Sequence, residues 1–75
     1  MTIPIIAERL RQEREAHGMT CTQLAEAACT TASTISKIEY NGQYPNVFIL
    51  CCIAEVLGVS IDWLCGRTEN KEVNK

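Results

Sequence analysis

Apolar side chains recur three and four positions apart in successive short blocks along the chain, and each block is bounded by residues that start or stop a helix. The most informative stretch is 20–39, TCTQLAEAACTTASTISKIE. Leu24, Ala25 and Ala28 share one helical face, the pattern breaks at Cys29-Thr30-Thr31, and it resumes with Ile35 and Ile38. Thr20 followed three residues later by Gln23 makes a capping box, and Thr31 is a second N-cap. The spacing therefore predicts two short helices joined by a tight turn. Ala25 is too small to hold crossing helices apart, so Ile35 and Ile38 can pack across it. The outward side of the second helix is left with Ala32, Ser33, Ser36 and Lys37, short or polar side chains that suit a rod lying deep in a DNA major groove.

The flanks supply three more helices. Pro4 fits a first helical turn, where its missing amide costs nothing. Ile6 and Leu10 then face the core, and the helix ends near His17 with Gly18 as its stop. After Glu39 the run Tyr40-Asn41-Gly42-Gln43-Tyr44-Pro45 reads as a loop, with Asn41-Gly42 as helix terminator and Pro45-Asn46 as the next start. The block 47–57 puts Val47, Leu50, Ile53, Ala54 and Leu57 on a core stripe. Phe48, Ile49, Cys51, Cys52 and Val56 are apolar as well, and Glu55 is its only charge. A helix apolar all round wants cover on every side, which a chain of 75 residues is too small to give. The Phe48, Cys52 and Val56 side is therefore expected to meet another chain, a second copy or a partner. Gly58 ends this helix, Ser60 caps a short fifth one, and Gly66 closes it. Trp63 there is either a lid over the core or an anchor in the dimer or partner surface. Residues 67–75 are polar without periodicity and predict a frayed tail.

These blocks, in register, resemble the phage lambda repressor and Cro-like (XRE-type) helix-turn-helix domains. The resemblance rests on Ala7-Glu8-Arg9-Leu10, Arg14, Gly18-Met19-Thr20, Leu24-Ala25, Thr30-Thr31, Ile35-Ser36-Lys37-Ile38-Glu39, Pro45, Leu50, Ile53-Ala54, Leu57-Gly58-Val59-Ser60 and Asp62-Trp63-Leu64. It covers about residues 5 to 66 and implies an all-α, five-helix domain over 1–66. It implies double-stranded DNA as partner, read by the third helix of a homodimer, and a repressor-like regulator of transcription. Base contacts would fall to Ala32, Ser33, Ser36 and Lys37, with Lys37 meeting guanine. Phosphate contacts would fall to Arg14, Cys21, Thr22, Thr31, Thr34, Tyr40, Asn41, Gln43 and Asn46. The resemblance also implies a structural salt bridge from Arg14 to Glu39, leaving one guanidinium edge for a phosphate. Two departures stand out. Cys29 occupies a turn position usually held by Gly, so the turn is expected to be slightly rearranged. The loop after Glu39 lacks the family's Lys and Arg.

Composition adds constraints. The chain is 47% hydrophobic and 21% charged, an ordinary globular balance. Without a long apolar run or a basic-then-apolar leader, the cytoplasm is the expected compartment. Five cysteines, an odd number without a Cys-x-x-Cys, argue for reduced thiols rather than a disulfide framework or a zinc site. Cys21 with His17 lacks the third, orienting group of a nucleophilic pair, so no enzyme is expected, and no cofactor or small-molecule ligand is evident. A net charge of −2 is not the basic footprint of a DNA binder. The distribution matters more: Arg9, Arg11 and Arg14 lie on the first helix, Lys37 on the third, and Arg67, Lys71 and Lys75 in the tail. A second function class therefore stands beside the first: a protein-interaction module on the same fold, antirepressor or antitoxin-like, with little DNA affinity.

Overall fold

The computed structural model describes residues 4–72, so Lys75 lies outside the described residues. Five helices follow one another: α1 Ile5–Ala16, α2 Cys21–Ala27, α3 Ala32–Asn41, α4 Val47–Leu57 and α5 Ile61–Leu64. α1 starts after Pro4 without a side-chain cap, and the other four starts follow from side-chain acceptors. In α2 the Gln23 amide donates to Thr20 Oγ1 at 3.1 Å, while the Thr20 amide donates to Gln23 Oε1 at 2.9 Å. Thr31, Asn46 and Ser60 accept from the amides of Thr34, Ile49 and Trp63 in the same way.

The helix ends share one device. A residue in the left-handed region follows each helix, and at four ends the next amide returns to a carbonyl five residues back. These bonds are Met19 to Arg14, Thr30 to Ala25, Val59 to Ala54 and Arg67 to Asp62. Glycine fills the left-handed place after α1, α3, α4 and α5, and Cys29, at φ 58°, fills it after α2. Gly42 is needed for a further reason: a Cβ there would run into the Pro4 ring, which packs against the end of α3.

The core draws on every element. Ile6, Leu10, Leu24, Ile35, Ile38, Ile53 and Leu64 are its largest fully buried side chains, with Ala25 and Ala28 letting α2 and α3 approach. Burying a Leu or Ile side chain contributes about 1.5–3 kcal/mol, so seven of them are a large share of what a small domain has. α3 packs chiefly on α1 and α2, and α4 on α2 and α5.

Four expectations are corrected. α3 runs past Glu39 to Asn41, so Tyr40 and Asn41 lie on its last turn rather than in a loop. Val47 is 75% exposed: the core stripe of α4 starts with Ile49 and Leu50, partly buried against the core, and is fully buried from Ile53. Trp63 is 6% exposed and belongs to the core, so it is a lid and not a surface anchor. Residues 67–72 are held rather than frayed. Arg9 donates to the carbonyls of Trp63 and Thr68 and pairs with Glu69, while the Ser60 amide donates to the Lys71 carbonyl at 2.8 Å. Lys71 reaches Glu13 at 2.8 Å, and the Arg9 and Lys71 cations sit 4.7 and 4.9 Å from the Trp63 ring centroid. The expected tail thus forms a clasp from α5 across α1, through residue 72; residues 73–75 lie outside the described residues.

Candidate nucleic-acid interface

The turn between α2 and α3 decides how α3 is presented. The Cys29 amide donates to the Glu26 carbonyl and Thr30 to Ala25, while Ala28 is fully buried beside them. These bonds and the buried methyl over-determine the backbone, so the turn keeps its left-handed residue although a side chain stands there. The expected rearrangement does not occur. α3 then leaves from Thr31, whose hydroxyl both caps the helix and lies 3.1 Å from that of Thr34.

Ile35 and Ile38 anchor the inner face of α3 at 0% and 1% exposure. The opposite side presents Ser33 and Lys37 exposed and Ala32 and Ser36 half-buried. A helix with one face locked and the other open is a rigid probe. Its inner end is fixed further by Glu39, whose side chain is fully buried and held by Arg14 through two bonds of 2.7 and 3.1 Å. The third Arg14 nitrogen donates to the Met19 carbonyl at 2.7 Å, and the side chain is 13% exposed. The hydrogen bond to Glu39 is the main cause pushing the Arg14 pKa above its ordinary value. Arg14 therefore welds α1 to α3, and the guanidinium edge expected to face a phosphate is spent on Met19.

Around this face lie the other sites. Thr22 and Thr31 are exposed, and Cys21 and Thr34 are half-buried. Tyr40, Asn41, Gln43 and Asn46 are exposed, although the Asn46 side-chain oxygen is engaged as the α4 cap. A polar recess of about 90 Å³ brings Lys37 and Thr34 together with Gln43 and Tyr44. Tyr44 is a neutral donor of the loop by sequence, and its place beside Lys37 depends on the turn at Gly42, which periodicity does not describe. Arg9, one of the first-helix cations, is 9% exposed and turned inward. The spacing held a signal, since residues 6, 9, 10 and 13 form one helical stripe. On α4, Phe48 is exposed, and Cys52 and Val56 are half-buried against the core.

All five thiols are free. Burial pushes the Cys52 and Cys65 thiols up, keeping them protonated. Among the described residues no group of three or more His, Cys, Asp or Glu is placed to hold a metal ion, and no helix is long and apolar enough to cross a membrane.

Comparison with known proteins bears on this geometry. A helix-turn-helix family model, HTH_3, matches residues 10–64. The chain is 34% identical over 65 residues to an uncharacterized HTH-type transcriptional regulator, YobD, of Bacillus subtilis, covering 87% of this chain and 58% of that protein. It is 37% identical over 71 residues to the cryptic phage CTXphi transcriptional repressor RstR of Vibrio cholerae, covering 91% of this chain and 63% of that one. The chain thus spans about three fifths of the length of both. Among solved structures, the N-terminal DNA-binding domain of SinR from Bacillus subtilis superposes with a TM-score of 0.75 at 36% identity, over 80% of this chain and 88% of that one. The P22 c2 repressor bound to a synthetic operator superposes with a TM-score of 0.81 at 23% identity, over 85% and 97%, a likeness of fold. With the family model spanning all but the first turns of α1, the clasp and the chain ends, this chain belongs to the helix-turn-helix family HTH_3.

Proposed function

We propose that the chain is the sequence-specific DNA-binding part of a transcriptional repressor, with α3 entering the major groove N-terminus first. The observation that carries this reading is the open face of α3, Ala32, Ser33, Ser36 and Lys37, on a helix whose other face and far end are locked. Ala32 meets a thymine methyl, Ser33 and Ser36 approach base edges, and Lys37 reaches a guanine acceptor. Cys21, Thr22, Thr31, Thr34, Tyr40, Asn41, Gln43 and Asn46 hold the phosphates on either side, joined by the Tyr44 hydroxyl, through neutral donors that fix register. Support comes from relatives and neighbours that are described as regulators, or are seen with DNA: RstR is a phage repressor, and SinR has been solved in complex with DNA at 37% identity and a TM-score of 0.73. One α3 with one lysine gives little affinity, so two copies bind half-sites about one DNA turn, roughly 34 Å, apart. Selection of duplexes from a random pool tests the reading: it recovers a two-fold symmetric site, and recovery of no shared sequence would refute it.

A second reading, a protein-interaction module with little DNA affinity, is favoured by one observation. Arg9 and Arg14 are spent inside the fold, which leaves Arg11, Lys37 and Arg67 outside any ion pair among the described residues. Heparin elution at low salt, followed by a mobility-shift assay with the DNA flanking its own gene, separates the two. Retention and a shift support the first reading, and failure of both supports the second.

A further inference from the structure

The outer side of α4 and the start of α5 enclose an open groove of about 480 Å³. Phe48, Cys51, Cys52, Val59 and Ile61 give it an apolar lining, and among the described residues the only charges on it are Glu55 and Asp62. Phe48, Cys51, Cys52 and Glu55 fall at helical positions i, i+3, i+4 and i+7, so they form one continuous strip of α4. Phe48 is 64% exposed, and neither carboxylate is in an ion pair among the described residues. α4 packs on α2 and α5 while α3 packs on α1 and α2, so the groove belongs to a different part of the fold from the reading face.

We propose that this groove docks an amphipathic helix of a partner protein, one carrying apolar side chains at i, i+3 or i+4, and i+7 with flanking Lys or Arg. The apolar lining supplies the burial that such a helix needs. The two carboxylates select its charge, because a positive flank gains two opposite charges at the rim and a negative flank is repelled. The same carboxylates turn away a phosphate backbone. They also disfavour a second copy: a two-fold contact sets each patch on its own image, bringing Glu55 and Asp62 against like charges.

The probe is a display library of helical peptides of about 14 residues, roughly four turns, with no net charge bias, selected against the full chain. Retained peptides are expected to be net positive with the apolar spacing above, and to shift the amide resonances of Phe48, Cys52 and Ile61. Their affinity is expected to fall about tenfold or more in Phe48→Ser and in the Glu55→Gln, Asp62→Asn double variant, all exposed positions whose folding is checked by circular dichroism. Retained peptides that are neutral or acidic, that perturb another face, or that are indifferent to these variants overturn the proposal. So does a library with no enrichment over the Phe48→Ser control. Dilution shifts at Phe48, Cys52 and Ile61, with a monomer–dimer equilibrium by sedimentation, would give the groove to a second copy instead.

Discussion

Cys29 holds φ 58° with a side chain attached, in the turn that aims α3. A left-handed backbone costs a non-glycine residue on the order of 1 kcal/mol, because its Cβ crowds a carbonyl oxygen. Cys29→Gly is therefore expected to stabilise the domain by about 0.5–1 kcal/mol in urea denaturation, less the entropy that glycine adds to the unfolded chain. A loss of stability would mean that the thiol makes a contact worth more than the strain. The sequence revealed the strain but not its resolution. The turn stays because the returning amides of Cys29 and Thr30 and the buried Ala28 outweigh it, and the burial of Ala28 is a tertiary fact. The thiols differ in chemistry as well. Cys52 and Cys65 have pKa values raised by burial, whereas Cys29 is exposed. Iodoacetamide followed by mass spectrometry should modify Cys29 before either. Because the folded pKa values are raised, the contribution of Cys52 and Cys65 to stability is intact below the unfolded thiol value, about 8.5, and is lost as pH rises beyond it.

At the scale of helices, the bond between Arg14 and Glu39 ties α1 to α3. Glu39 has no exposure at its side chain, so removing Arg14 leaves a buried carboxylate without a partner. Arg14→Ala is expected to cost about 3–5 kcal/mol, and a Leu at 39 with Met at 14 to recover much of it, by urea denaturation of both variants. A single-variant loss under about 1 kcal/mol would show that water already reaches the pair. Helix number and starts were legible because caps are local: Thr20, Thr31, Asn46 and Ser60 each act within three residues. Helix extent was less so. Val47 fits the apolar period of α4, but periodicity does not say where the neighbouring helices stop, and they stop short of it. Asn41-Gly42 as a terminator predicts a helix that stops before Tyr40, whereas the structure uses only Gly42 as the left-handed residue.

Across the whole molecule, charge is distributed by burial rather than by sequence. Arg9 on α1 and Lys71 beyond α5 both lie over the Trp63 ring, and both also pair with carboxylates. Ending the chain after Gly66 removes this clasp; it should red-shift Trp63 emission and lower stability by about 1–3 kcal/mol, the sum of a cation–π contact and a few partly exposed hydrogen bonds. Unchanged emission would mean that the core alone shields the ring. The polar composition of 67–72 concealed the clasp, since its partners, Arg9 and Glu13, are more than fifty residues away. The cations left outside ion pairs limit the electrostatics of the proposed DNA binding. If the three such cations among the described residues neutralise phosphates, log K should fall against log salt with a slope of about −3 per protomer. The most direct test of the reading face compares wild type with Lys37→Ala on a selected duplex and on a scrambled one at one salt concentration. A loss of about 1–3 kcal/mol is expected on the selected duplex and a smaller one on the scrambled duplex. Equal losses on both would make Lys37 a phosphate contact, and no loss on either would contradict α3 as the element that reads DNA.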